Sequence, residues 1–230
     1  MTEFLDPKEK ILTAKVKTAE PRHRARCAGR LTALVALAMS MATPVHAGIL
    51  VEGVIEGVPV RFEMGADRTR VMARIDGKRH LVDLAHDHVY ELDMAVPKRI
   101  RAGLHDDGAS SAPYRLTEWS AGPPVGGHGS KYNVLQLDEL VCGEVLSSRW
   151  MLDFLKPVIR SVEIMQRLAR SIRPRPRGEC GAIPFEAYAR NGWPLMAGWK
   201  DATVVLTDTV RFDYKADAHE FDLPQRYRDE

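Results

Sequence analysis

Apolar residues recur with a helical period in one stretch of this chain, Trp150 to Ile172. Leu155, Val158, Val162, Met165, Ala169 and Ile172 follow one another in alternating steps of three and four, which puts them on one stripe of a helix. Met151, Leu152, Ile159 and Leu168 widen that stripe, while Lys156, Arg160, Glu163, Gln166, Arg167 and Arg170 line the opposite side. A helix with one wet face and one wide apolar face must dock on something apolar. Pro157 fits a first helical turn if the helix proper starts near Lys156, and otherwise kinks it.

The rest of the chain reads as short strands. Ile49 to Ile55 and Val58 to Met64 are apolar runs separated by Glu56-Gly57, and in Thr69 to Ile75 the residues Thr69, Val71, Ala73 and Ile75 alternate with Arg70, Met72 and Arg74. Asp76-Gly77 is a strong hairpin signal. His80 to Leu84 and His88 to Met94 continue the meander, and Pro97 closes it. Links this short leave no room for crossover helices, so these strands are antiparallel neighbours. Leu104 to Pro113 is a polar loop, Tyr114 to Trp119 a strand, and Tyr132 to Leu137 with Leu140 to Leu146 a second hairpin across Asp138-Glu139. After the helix, Arg173 to Gly178 alternates Arg and Pro and must be extended, Gly192 to Gly198 reads as a link, and Thr203 to Tyr214 resumes strand alternation. The pattern predicts an α+β fold in which a curved antiparallel sheet holds one main helix on its concave face. No internal repeat or second core is evident, so residues 48–230 read as one domain.

Composition adds a division. The chain has 230 residues, 45% of them hydrophobic, and a net charge of +2. Residues 1–47 carry eight Lys or Arg against four acids, or +4, so the remainder carries about −2. A general nucleic-acid binder would need a basic excess, which the main domain lacks. The basic segment has the layout of an N-terminal extension with a signal peptide: Arg22, Arg24, Arg26 and Arg30, then uncharged Leu31 to Pro44, then Val45-His46-Ala47 with cleavage expected after Ala47. The alternative, a transmembrane anchor, needs roughly twenty apolar residues. Residues 1–20 lie upstream of a leader of ordinary length. Cys27 precedes the apolar run, the wrong place for a lipidated cysteine. A soluble periplasmic protein is the expectation.

Export changes how the cysteines read. Cys142 and Cys180 are the thiols of the expected mature chain, they bracket the helix, and an oxidising compartment favours a bridge between them over two unpaired buried thiols.

Taken together, these features resemble a known group. The leader is followed by Phe62-Glu63-Met64 through Arg70-Val71-Met72, Leu81-Val82-Asp83-Leu84 and Val89-Tyr90-Glu91-Leu92. Then come a cysteine-bearing strand, a helix, Gly192-Trp193-Pro194-Leu195, and a closing Phe221-Asp222-Leu223-Pro224. This order is similar to that of the LolA-like proteins and most closely resembles the DUF4412 family of exported proteins. The resemblance implies an incomplete β-barrel with helices lining or lidding its open side, a fold that in LolA carries the acyl chains of lipoproteins across the periplasm. It reaches fold level only, because one fold hosts several roles.

Candidate chemistry is sparse. His86-Asp87-His88 has metal-like spacing, with both histidines on one face of a strand, but further ligands would have to come from scattered His80, His105 and Asp106; a polar turn is the simpler reading. Ser147 and Ser148 have no base partner or Gly-x-Ser-x-Gly context, Glu139 and Glu144 show no pairing, and no phosphate-binding glycine pattern occurs. No cofactor is implied. Arg170, Arg173, Arg175 and Arg177 either meet an anionic lipid or partner or form a solvated helix end and stiff linker. The leading expectation is a non-enzymatic exported protein that binds an apolar ligand, such as an acyl chain or an acylated protein. Leu155, Val158, Val162, Met165 and Ala169 would line the site. The rivals are a structural or partner-binding envelope protein with a filled core and, third, a metal-dependent enzyme at His86 and His88.

Overall fold

The computed structural model describes residues 48–101, 114–172, 180, 183–199 and 202–227. The expected leader, its cleavage site after Ala47, His105, Asp106 and Arg173, Arg175 and Arg177 lie outside the described residues. So does the side chain of Arg170.

The strands are β1 (Gly48–Ile55), β2 (Val58–Met64), β3 (Arg70–Ile75), β4 (Lys78–Asp83), β5 (His88–Glu91), β6 (Lys98–Arg101), β7 (Tyr114–Ala121), β8 (Lys131–Leu137), β9 (Leu140–Ser148), β10 (Trp193–Trp199) and β11 (Ala202–Tyr214). Among the described residues two helices, α1 (Arg149–Ile172) and α2 (Phe185–Ala189), lie between β9 and β10. All 11 strands join one antiparallel sheet in the order β6-β5-β4-β3-β2-β1-β11-β10-β9-β8-β7. Because the first strand pairs with the last, the sheet's midline joins the two ends of the domain. Its edges, β6 and β7, are consecutive in sequence.

Local chemistry sets the hairpins. Asp76-Gly77 turns with φ of 49° and 75° and pairs Ile75 with Lys78, the left-handed geometry of a two-residue hairpin. Glu56-Gly57 does the same with φ of 51° and 78°. Asp138 at φ 53° turns the β8–β9 hairpin, where a short polar side chain tolerates that conformation.

Along each strand, alternate side chains enter different cores. On β3, Val71 and Ala73 join the main core with Phe62, Val82, Leu155 and Val158, whereas Met72 joins a smaller cluster with Leu81, Tyr90 and Phe221. The main core is on the helix side. There α1 packs on β3, β4 and β5 and on β10, which are separated in the sheet by β2, β1 and β11. A helix lying on a flat sheet would meet the middle strands first, so the sheet is concave toward α1.

Three expectations change. The helix starts at Arg149, not near Lys156, so Pro157 lies inside it and cannot bond the Asp153 carbonyl, at a residue that is exposed. The segment expected as a link is β10, in which Trp193, Pro194, Leu195 and Ala197 are buried. Pro194 is tolerated within the sheet because the β9–β10 register slips between Pro194 and Met196. Entry to this strand is tight: Gly192 sits at φ 155°, and a Cβ there would lie 2.7 Å from the carbonyl carbon of Ser148. Finally, Pro97 does not end the meander, since β6 pairs with β5 directly beyond it.

Candidate apolar binding site

The interface between α1 and the concave sheet face is the principal apolar region of the protein. Leu155 and Val158 are 0% exposed and Val162 is 5% exposed. Met165 is half-buried and Ala169 is exposed. The buried arc instead takes in Ser161 and Ile164, both 0% exposed. It is widened by α2, which the apolar periodicity missed because five residues are too few to show a period. Phe185, Ala187, Tyr188 and Ala189 are all buried, and the Phe185 amide donates to Gln166 Oε1 on α1 at 3.0 Å. Burial pushes the Tyr188 hydroxyl far above its ordinary pKa. Beyond α2, Arg190 donates to the Tyr114 carbonyl and Asn191 Nδ2 to the Leu116 carbonyl at 3.0 Å, covering the start of edge strand β7.

Three features hold α1 in place. At its start, Trp150 packs at a tilt on His128 (centroids 4.4 Å apart) and on Phe212 (5.2 Å), while Phe154 packs on Phe212 (5.3 Å) with the Arg68 guanidinium 6.0 Å from its ring centroid. The Trp150 indole N–H is buried without a hydrogen-bond partner among the described residues. Farther along, Arg160 Nη2 donates to both Asp87 oxygens at 3.0 and 2.9 Å, and Arg167 Nη2 reaches Asp87 at 3.3 Å. Asp87 sits at φ 52° in the β4–β5 turn, so this latch ties the helix to the far wall of the sheet. At the base, Cys142 on β9 is bridged to Cys180, with Cα atoms 5.0 Å apart.

The bridge matches expectation. The metal-like triplet does different work: Asp87 is the helix latch, His86 Nδ1 lies 3.0 Å from Asp83, and the His86 and His88 rings stack at 6.0 Å. Burial, then Arg99, lowers the His88 pKa. Among the described residues no group of three His, Cys, Asp or Glu side chains could hold a metal ion. Ser147 accepts a hydrogen bond from Asn133 Nδ2 at 3.0 Å, Ser148 is buried, and Glu139 and Glu144 are exposed on or near the β8–β9 hairpin.

The opposite face carries a buried charge network beside the small Met72 cluster. Glu63, 0% exposed, accepts from Arg61 Nε at 2.7 Å and from the Tyr214 hydroxyl at 2.7 Å, with Arg74 Nε at 3.3 Å. Burial alone pushes its carboxyl up, but Tyr214 and Arg61 outweigh that and leave it below the usual carboxylate range. Beside this network an open groove lined by Glu52, Arg61, Arg74 and Asp208 carries balanced charge.

Among the described residues no helix is long and apolar enough to cross a membrane. Compared with known proteins, the chain matches no family model, no curated sequence and no solved structure.

Proposed function

We propose that this is a non-enzymatic exported protein that accommodates an apolar chain, such as an acyl group, between α1 and the concave sheet face. The observation that carries the reading is topological. The segment holding α1 and α2 is an excursion between two hydrogen-bonded neighbours, β9 and β10, so α1 can lift without breaking a strand pairing. The bridge at Cys142 anchors the returning chain, and the Asp87 latch is a single carboxylate shared by two arginines, so that one substitution releases it. In this reading α1 fills the ligand's place until displaced. The bridge, and the lack of a membrane-spanning helix among the described residues, are compatible with export.

One observation favours the second reading, an envelope protein with a permanently filled core: Leu155, Val158 and Ile164 and the facing Val71, Ala73 and Val82 are all 0% exposed. Displacement of a fluorescent fatty acid separates the two. The carrier reading expects saturable binding that tightens about fivefold in Asp87→Ala, since opening α1 then costs less. Absence of binding in both proteins, with no lipid retained in native mass spectrometry, leaves the filled core.

A further inference from the structure

Exposed large apolar side chains are not scattered over this molecule. Among the described residues Trp119 and Phe154 lie toward the end of the sheet where α1 begins, whereas Met94, Val96, Leu140 and Val141 lie at the other end, on two hairpins. The two hairpins differ in charge. Leu140 and Val141 follow Asp138 and Glu139, with Glu144 farther along the same strand. Met94 and Val96 instead precede Lys98, Arg99 and Arg101 of edge strand β6, and the neighbouring β3–β4 hairpin adds Lys78 and Arg79. The acids nearby, Asp76, Glu91 and Asp93, are outnumbered, and Asp93 is already taken by Arg79.

The apolar tip is also held outward. Residues 93–96 are all exposed, with Met94 at 50% and Val96 at 59%. On one side of the tip, the Leu92 amide donates to the Arg79 carbonyl at 3.1 Å, and Asp93 accepts from the Arg79 amide at 2.6 Å and its Nε at 2.7 Å. On the other side the Tyr227 hydroxyl donates to the Pro97 carbonyl at 3.3 Å and accepts from the Arg99 amide at 3.1 Å. Two side chains that could have folded onto Leu92 in the small cluster beneath are kept in water by anchors at both ends of the loop.

We propose that the β5–β6 loop is a membrane-docking element: Met94 and Val96 enter the interfacial region of an anionic bilayer while Lys78, Lys98 and Arg99 meet its headgroups. An apolar tip collared by cations is what such a surface selects, because shallow apolar burial and electrostatic attraction add. The acidic β8–β9 hairpin, equally apolar at its tip, would be repelled. This inference does not rest on the ligand reading, since docking is measured on protein with no ligand bound.

Flotation of the folded full chain with vesicles is the test, using equal parts phosphatidylglycerol and phosphatidylcholine against pure phosphatidylcholine. The protein is expected to float with the anionic vesicles and not with the neutral ones, and to be released by salt as screening shortens from about 8 Å to about 3 Å. Met94→Asp/Val96→Asp, which removes the apolar anchor, and Lys78→Glu/Lys98→Glu, which removes more than the weight of one cation at such a surface, are each expected to lower partitioning at least about fivefold. Melting temperatures should stay unchanged, because the altered side chains are largely exposed. Leu140→Asp/Val141→Asp should float like the parent. Equal flotation on neutral vesicles, full flotation of either loop variant, no flotation of the parent, or equal loss in the β8–β9 variant would each overturn the proposal.

Discussion

The two faces of the sheet are built from alternate residues of the same strands, yet they are held by different physics. Phe62 and Met64 on β2 point into a dry core under α1, while Glu63 between them is buried on the convex side among Arg61, Arg74 and Tyr214. Arg61 and Arg74 stand directly opposite one another on β2 and β3, a repulsive pairing that the Glu63 carboxylate offsets. The tail adds Glu220 to Arg74 and seats Phe221 over Met72, Leu81 and Tyr90. The concave side is therefore stabilised by area removed from water, without directional preference. The convex side depends on a charge network that fails if one member is removed.

Truncating the concave core should show the larger effect. Leu155→Ala is expected to lower unfolding stability by about 3 to 5 kcal/mol, because its side chain is fully buried and the packed surroundings can relax only partly. Denaturant titration measures it, and a loss under about 1 kcal/mol would mean that α1 is loosely seated. Next in size is the bridge. Cys142→Ser and Cys180→Ser should each cost about 3 to 4 kcal/mol, matching closure of a loop with sequence separation 38, and the unreduced protein should show no free thiol at these two positions. Unequal losses in the two variants would show that packing at Cys142, rather than the cross-link, carries the effect.

The convex face gives the smallest change and the clearest pH signature. Glu63→Gln is expected to cost about 1 to 3 kcal/mol at neutral pH, since a neutral amide leaves Arg61 and Arg74 less compensated. The folded pKa of Glu63 is depressed, so the folded state holds its proton less tightly than the unfolded chain does. Its stabilisation is complete above the unfolded carboxylate value of about 4.3 and is lost as pH falls through the lower folded value. Stability curves of parent and variant should therefore converge on acidification below about pH 4.3, whereas those of parent and Leu155→Ala should stay parallel. Divergence in acid would assign the network no role in the native state.

How far the molecule was legible from its residues depends on the range of the interaction concerned. The helical stripe of Leu155, Val158 and Val162 and the Asp76-Gly77 and Glu56-Gly57 hairpins are local, and each stands where its pattern places it. The Cys142–Cys180 bridge follows from redox chemistry and scarcity. By contrast β6 is four residues of Lys, Arg and Ile that are a strand only because β5 offers an open edge. Likewise α2 is five residues stabilised by burial against α1 and the sheet. In β10, Gly and Pro conceal a strand that its two neighbours impose.

The candidate site divides in the same way. Apolar spacing along one helix selects Leu155, Val158 and Val162 as an interior surface, because residues a few positions apart share a helical face whatever surrounds them. Whether Met165 and Ala169 are covered, and whether Ile164 is, depends on what packs alongside, and no local pattern encodes that. The conversion of Asp87 from half of a metal-like triplet into the partner of Arg160 and Arg167 needs residues 73 and 80 positions apart to meet. Composition and periodicity thus determined the long helix and the hairpins with local turn chemistry; only the tertiary structure, by pairing β1 with β11 and bending the sheet around α1, decided the remaining elements and which faces meet, since that outcome depends on contacts between residues distant in sequence.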